Sequence, residues 1–142
     1  RDKSLLDQIA VPYIYKGMVT QGEVAQLLRE SDIVLSCSDY ETFGATLAEG
    51  IAAGCLAVTT GRGGQRDIVD HLRTGYIVSD SDSLAGGILW AAAQVAATDR
   101  RQLHEEMARR FAPEVIARRH LEIYKEPPPI PLQRSGGLIN AL

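Results

Sequence analysis

Two glutamates, eight residues apart, lie on either side of a glycine at a predicted strand-to-helix turn. Glu41 precedes Gly44 in the turn, and Glu49 follows it in the first turns of a predicted amphipathic helix. Ionised carboxylates accept hydrogen bonds from hydroxyl groups. The first backbone N–H groups of a helix lack intrahelical partners and attract anions. This combination suits a ligand that carries both phosphate and sugar.

Each of these acidic residues also has a purely structural interpretation. Thr46 and Glu49 have the spacing of a capping box, in which the Glu49 carboxylate accepts a hydrogen bond from the backbone N–H of Thr46. The structural alternative for Glu41 is an exposed acid in a loop. Phe43 is of a type that more often packs in a core than stacks on a ligand. The spacing alone leaves both interpretations open.

A second glycine-rich turn, at residues 61–64, follows another predicted strand. It is a weaker candidate for holding an anion, because glycine in a tight strand–helix turn also has a steric explanation.

Short apolar segments alternate with helical patterns along the chain. Strands are predicted at residues 12–15, 33–35, 55–59 and 76–78. Helices are predicted after a capping box at Thr20 and Glu23, after Gly44, over residues 67–72 and 84–95, after Asp99, and from Pro113. This alternation predicts an α/β fold with a doubly wound parallel sheet, in which ligands bind outside the carboxyl ends of the strands. Both glycine-rich turns lie at those ends.

The composition indicates one globular domain over residues 1–125, followed by a proline-rich tail at residues 126–142 that we expect to be extended or disordered. The chain has 142 residues, of which 45% are hydrophobic. The net charge of -3 gives no case for nucleic-acid binding. No apolar run approaches the roughly 20 residues of a membrane span. We therefore expect a cytoplasmic protein.

Charge is unevenly distributed, because residues 100–126 carry 7 basic and 5 acidic side chains whereas residues 1–99 carry 7 and 13. The interleaved glutamates favour a solvated helix face, and contact with an anionic membrane is an alternative that no other feature supports. Cys37 and Cys55 are predicted to be buried free thiols in a reducing cytoplasm, and a disulfide between them is an alternative that no other feature supports. The three histidines show no metal-ligand spacing, so we predict no metal site.

Residues 36–54 resemble the Glu-x7-Glu signature of retaining glycosyltransferases of the glycogen-synthase and sucrose-synthase type, family four of the glycosyl transferases group 1. Four further segments resemble the flanking motifs of that family in order and spacing: residues 15–19, 27–35, 63–69 and 74–78. The resemblance covers about residues 5–125. It implies the C-terminal, nucleotide-sugar-binding half of a GT-B fold, which is Rossmann-like.

The resemblance also implies residue roles. Glu41 matches the glutamate that contacts the donor sugar, which makes it the candidate catalytic residue, and Glu49 matches the one that holds the ribose hydroxyls. The donor-binding residues implied are Glu41, Phe43, Gly44, Ala45, Thr46 and Glu49. The implied reaction transfers a hexosyl group from a nucleoside diphosphate sugar with retention of configuration. That donor is a co-substrate, and stabilising the leaving diphosphate requires no cofactor or bound metal.

One part of the family pattern has no counterpart here. The resemblance places an Arg and a Lys that grip the diphosphate in a first strand–helix unit, and neither Lys16 nor Arg62 stands at a matching position. That unit, the second strand and the N-terminal acceptor domain would precede residue 1. We therefore expect a partial domain, lacking its first strands and inactive alone, whose partner is the missing acceptor domain or another chain completing the sheet. The alternatives are a non-catalytic interaction module, or part of a GT-B epimerase or phosphorylase.

Overall fold

The computed structural model describes residues 10–79 and 83–125. Within these residues, β-strands and α-helices alternate up to the third strand and helices follow it. The strands are β1 (Ile33–Ser36), β2 (Leu56–Thr59) and β3 (Gly75–Ile77). The α-helices are α1 (Gln21–Arg29), α2 (Ala45–Ala52), α3 (Gln65–Ile68), α4 (Leu84–Gln94), α5 (Arg100–Phe111) and α6 (Pro113–Lys125), with a 3₁₀ turn over Val95–Ala97.

The three strands form one parallel sheet in the order β1-β2-β3. In register, Ser36 lies opposite Thr59, and Thr59 lies opposite Ile77, so the three strands end at the same edge. Every residue of the central strand β2 is buried, as expected for a parallel sheet covered on both faces. The predicted parallel α/β fold is confirmed, and these strands lie within one residue of their predicted bounds.

Helices cover both faces of the sheet. Val34 lies opposite Ala57 in register, whereas Val58 is the next residue along β2, so Val34 and Val58 face opposite sides. On α2, a Cβ at Gly50 would collide with Val34; on α4, a Cβ at Gly87 would crowd Val58. The two helices therefore pack against opposite faces through glycines, which is the doubly wound arrangement.

A single apolar cluster fills the space between the sheet and its helices. It includes Leu47 and Ile51 of α2, which are at most 1% exposed. Its remaining buried members come from β1 and β2, from α3, α4 and α5, and from the residues directly before β2 and after α3: Val34, Cys55, Leu56, Ala57, Val58, Ile68, Val69, Ala91, Leu103 and Met107. This cluster fixes α2, and with it the turn that precedes α2.

The predicted capping box at the start of α1 is confirmed. The Thr20 hydroxyl oxygen accepts from the Glu23 N–H at 3.3 Å, and the Glu23 carboxylate accepts from the Thr20 N–H at 2.8 Å. The hydrogen bond from the Thr20 backbone lowers the pKa of Glu23 below its ordinary value. The predicted starts of α5 after Asp99 and of α6 at Pro113 are also confirmed.

The carboxyl-terminal ends of α1 and α2 meet at the Arg100 side chain. Its guanidinium donates to the backbone carbonyls of Arg29, Ser31 and Ala53 at 3.0 to 3.1 Å. The Cys55 thiol donates to the carbonyl of Ser31 as well, at 3.3 Å. Burial raises the pKa of the Cys55 thiol. Helix carbonyl ends carry partial negative charge, so a guanidinium stabilises them.

Three predictions about the elements are wrong. The structure places no strand at residues 12–15: the segment has no partner strand among the described residues, and Tyr13, Ile14 and Tyr15 are 48% to 79% exposed. The helix predicted over residues 67–72 begins at Gln65 and ends at Ile68, before Leu72 adopts a positive φ of 65°. Cys37 is exposed, because it follows the last residue of β1.

The predicted tail at residues 126–142 lies outside the described residues.

Candidate functional site

Two loops lie side by side at the carboxyl edge of the sheet. The acidic loop (residues 37–44) joins β1 to α2, and the glycine loop (residues 60–64) joins β2 to α3. Glu41 and Gly63 form an isolated parallel bridge, and the Gly64 N–H donates to the Glu41 carbonyl at 2.7 Å. The parallel pairing of β1 and β2 therefore resumes beyond the ends of the strands. It holds the predicted site residue Glu41 against the glycine-rich turn.

The two loops approach so closely because glycine occupies the contact. A Cβ at Gly63 would collide with the Glu41 carbonyl oxygen, and one at Gly64 would collide with that of Thr42. At the rim, Arg62 and Asp39 form an exposed ion pair at 3.3 Å. Exposed pairs of this kind contribute little to stability, so the backbone contacts fix the two loops.

The start of α2 differs from the predicted capping box. Gly44 is the N-cap residue in a left-handed conformation (φ 90°), and it has no side chain to accept from the first N–H groups. Because the helix already begins at Ala45, Thr46 lies inside it and cannot be the N-cap. The capping interpretation of Glu49 is therefore wrong. No side-chain cap hydrogen bond closes this end, and the first N–H groups of a helix have no intrahelical partners.

Glu41 is half-buried between the two loops rather than a freely exposed loop acid. The Ser38 hydroxyl donates to its Oε1 atom at 2.9 Å. In turn, the Thr60 hydroxyl of the glycine loop donates to the Ser38 carbonyl at 2.9 Å. The carboxylate is thus oriented through one oxygen, which leaves the acceptor capacity of the second oxygen for a hydroxyl group.

Phe43 and Glu49 lie on the side of α2 that faces α5. The Phe43 ring meets the Phe111 ring edge-on, with centroids 5.4 Å apart, and Phe43 remains 45% exposed. Glu49 is exposed and lines a shallow apolar hollow together with Phe111. Phe43 is therefore a surface ring supported by α5, and it is not a core residue.

Glu49 also borders a larger groove, of about 570 Å³, that runs between α1 and α5 over α2. The other residues that line it are Gln21, Val24, Ala25, Leu28, Arg29, Ala52, Ala53, Arg100, Arg101 and His104. The structure thus gathers Glu41 and residues 43–46 at the start of α2. It places Glu49 about one turn further along, at the edge of this groove.

Sequence reasoning missed a buried polar residue beneath the site. Gln65 is 0% exposed and contacts the ends of β1 and β2 through Ser36 and Thr59. The available signal was a glutamine directly after Gly63 and Gly64, at the start of a helix and close to two consecutive threonines. A polar side chain in that position has few solvent-facing orientations.

The described part of the chain contains no group of three or more His, Cys, Asp or Glu side chains that could hold a metal ion. Nor does any helix in the described ranges combine the length and apolar character that a membrane crossing requires.

Comparison with known protein families matches residues 8–110 to the family described as glycosyl transferases group 1. The chain belongs to this family. Its relatives include the N-acetyl-alpha-D-glucosaminyl L-malate synthase of Bacillus anthracis, which is 34% identical over 90 residues, covering 63% of this chain and 23% of the relative. An uncharacterized glycosyltransferase of Methanocaldococcus jannaschii is 32% identical over 77 residues, covering 53% of this chain and 20% of the relative. The chain thus matches less than a quarter of the length of these relatives.

Proposed function

We propose that this domain binds the nucleoside diphosphate sugar of a retaining hexosyl transfer. The observation that carries the proposal is the start of α2. Its first N–H groups lack a side-chain cap, and Glu41, three residues before the N-cap Gly44, has its carboxylate oriented by the Ser38 hydroxyl. Membership of the glycosyl transferases group 1 supports transfer of a glycosyl group as the chemistry of the whole protein.

Each part of the donor has a matching group in this arrangement. The diphosphate accepts hydrogen bonds from the N–H groups of Ala45 and Thr46 at the positive end of α2. The left-handed Gly44 presents no Cβ, which lets the phosphates approach the backbone. Glu41 accepts from a hydroxyl of the sugar, and Glu49 accepts from the ribose hydroxyls.

The proposed chemistry is loss of the diphosphate from the anomeric carbon and attack by the acceptor on the same face of the sugar. The name of the B. anthracis relative, an N-acetyl-alpha-D-glucosaminyl L-malate synthase, specifies an alpha-linked product. Common nucleoside diphosphate hexoses are α-linked, so an α-linked product corresponds to retention. Groups that neutralise the leaving diphosphate lower the barrier most. The arginine and lysine to which the family resemblance gives this role have no counterpart in this sequence. We therefore propose donor binding, rather than turnover, as the activity to test on this chain.

The test is a titration of the 15N-labelled chain with millimolar UDP-, GDP- and ADP-sugars, followed by amide chemical shifts. We expect one of the donors to shift the amides of Gly44, Ala45 and Thr46. Glu49→Ala is expected to weaken that affinity roughly ten-fold or more, because it removes hydrogen bonds to a charged acceptor. Glu114→Ala, in the exposed first turn of α6, serves as the control and is expected to leave the affinity unchanged.

Two results would contradict these assignments separately. Unchanged affinity in Glu49→Ala removes its ribose role. No shift with any of the three donors removes donor binding altogether. In a longer, active protein, Glu41→Ala is expected to lower kcat.

A second candidate function is pairing of the sheet with another chain. It is favoured by the position of β1 at the edge of the sheet and by the 45% exposure of Leu35 on that strand. Unpaired edge strands offer free N–H and C=O groups to a partner strand. Dimers in sedimentation velocity, together with no donor-induced shift, would favour this interaction role over donor binding.

A further inference from the structure

Gln65 is a fully buried polar side chain at the first position of α3. Its carbonyl oxygen accepts from the Thr59 hydroxyl and from the Arg62 backbone N–H at 3.2 Å. The Thr60 hydroxyl lies 3.3 Å from the same oxygen and makes a shorter hydrogen bond, of 2.9 Å, to the Ser38 carbonyl. The Thr59 hydroxyl in turn accepts from the Gly61 N–H at 3.2 Å. The Gln65 amide and the Thr59 hydroxyl therefore hold the buried side of the glycine loop, and Arg66 adds a hydrogen bond from its Nε to the Gly61 carbonyl at 2.6 Å.

The nitrogen of the same amide reaches the neighbouring strand. It donates to the Ser36 hydroxyl oxygen at 3.4 Å. Ser36 is the last residue of β1 and lies opposite Thr59, the last residue of β2. Gln65 therefore connects the two strand ends from which the two loops of the site begin.

Gln65 also lies next to the start of α2. A Cβ built on Gly44 would lie 3.7 Å from the Cγ atom of Gln65, an ordinary van der Waals distance. The preceding residue, Gly64, donates its N–H to the Glu41 carbonyl at 2.7 Å. A shift of Gln65 would thus be transmitted both to the N-cap residue of α2 and to the backbone of Glu41.

We propose that Gln65 is a positioning residue of the donor site, which sets the acidic loop against the glycine loop without itself contacting the donor. The inference rests on the donor-binding function proposed above. It predicts that the hydrogen bonds of the Gln65 amide, and not merely the volume of its side chain, determine the geometry around Glu41 and Gly44.

Three substitutions separate these roles. Gln65→Met keeps the length of the side chain and removes both the acceptor and the donor. Gln65→Glu restores an acceptor for Thr59 and Arg62; because burial favours the neutral acid, its O–H takes the place of the amide N–H as a donor to Ser36. Ile68→Val removes a methylene group from a fully buried neighbour on the same helix and controls for general destabilisation.

The first measurement is amide hydrogen exchange in the 142-residue chain, with the buried Val58 of β2 as an internal reference. In Gln65→Met we expect the amides of Arg62 and Gly64 to exchange at least ten-fold faster relative to Val58. Gln65→Glu is expected to recover most of this protection, and Ile68→Val to leave the ratio unchanged. An unchanged ratio in Gln65→Met, or an equal change in Ile68→Val, would overturn the positioning role.

The second measurement is the affinity for UDP-glucose, GDP-glucose and ADP-glucose. If the wild-type chain binds one of them, Gln65→Met is expected to bind it about ten-fold more weakly. Faster exchange with unchanged affinity would show that Gln65 is only structural and would refute the proposal. If the wild-type chain binds none of them, donor binding itself fails, while the exchange ratios still decide whether Gln65 orders the two loops.

Discussion

The two ends of the β1-α2-β2 unit satisfy their polar groups in opposite ways. At the carboxyl edge of the sheet, α2 begins without a side-chain cap, next to two loops that contact each other through glycine backbone. At the other end, α1 and α2 end beside the Arg100 guanidinium. It donates to the backbone carbonyls of Arg29, Ser31 and Ala53, which lie at or just after the ends of these helices. One end has no side-chain cap for its backbone donors, whereas at the other end Arg100 satisfies three backbone acceptors.

If the proposed donor binding is correct, this difference reserves one edge of the unit for a ligand. Helix N-termini and C-termini carry opposite partial charges. The chain stabilises the negative ends with its own cation, whereas the positive end of α2 has no side-chain cap and is where we propose that the donor diphosphate binds. We therefore expect substitutions at Arg100 to affect the stability of the fold, and substitutions in the two loops to affect binding.

The largest expected effect comes from Arg100→Met, which keeps much of the side-chain length and removes the donors. We expect a loss of about 2 to 4 kcal/mol in the free energy of unfolding, because several backbone carbonyls lose a charged partner. Urea denaturation measures it. Arg101→Met is the control on the same helix: its side chain is 86% exposed and pairs only with Glu105 among the ion pairs of the described residues, so we expect a change within about 0.5 kcal/mol.

The two cysteines lie at opposite ends of the β1-α2-β2 unit, so the reactivity of each thiol reports on the opening of one end. Cys55 is buried near Arg100, and Cys37 is exposed after β1. We expect alkylation of the native chain to modify Cys37 first, and Arg100→Met to accelerate modification of Cys55 alone. Equal acceleration of both thiols would mean that Arg100 stabilises the whole sheet and not one end of it.

Gly64→Ala is expected to have a smaller effect on stability and a direct effect on the site. Its new methyl group collides with backbone of the acidic loop, and overpacking of this kind costs about 1 to 3 kcal/mol. Donor affinity should fall together with stability, because this collision displaces the acidic loop and with it Glu41. Gly22→Ala on α1 meets no atom within 4 Å and is expected to stabilise the chain by about 0.5 to 1 kcal/mol. Urea denaturation measures the stability of both variants, and titration with the donor measures their affinity. An unchanged donor affinity in Gly64→Ala would contradict the close packing of the two loops.

The smallest expected effect concerns the start of α1, which is closed by its own capping box, in contrast to α2. The pKa of Glu23 is lowered in the folded chain. Its carboxylate therefore stabilises the fold above the ordinary pKa of glutamate, and this contribution disappears as the pH falls through the lowered value. Denaturation of wild type and Glu23→Ala at several pH values should show a difference at neutral pH that shrinks toward pH 3. A pH-independent difference would contradict the capping role.

Much of the fold could be predicted from the sequence, because the relevant signals are local. The strands at Ile33–Ser36 and Leu56–Thr59 are short apolar runs bounded by polar turns, and the capping box at Thr20 lies within four consecutive residues. The segment at residues 12–15 has a similar apolar pattern. It forms no strand because a strand requires a hydrogen-bonding neighbour, which local sequence cannot supply.

The site was only partly predictable, since its geometry depends on contacts between distant residues. The Glu41–Gly63 bridge and the reach of Gln65 to Ser36 join segments more than twenty residues apart. Spacing alone also could not decide between ligand and capping roles for Glu49, because the answer depends on whether the helix starts at Thr46 or before it. The structure shows that α2 starts at Ala45, after the left-handed N-cap residue Gly44, and therefore before Thr46.

The Glu41–Gly63 bridge also restricts how these loops can change in length. Each loop is anchored twice, once where its strand ends and once at the bridge. Inserting or deleting a residue between Ser36 and Glu41 would shift the acidic loop relative to Gly63 unless the segment after Thr59 changed with it. Redesign of ligand preference at this edge should therefore proceed by substitution at fixed length, or by exchanging both loops together as one cassette.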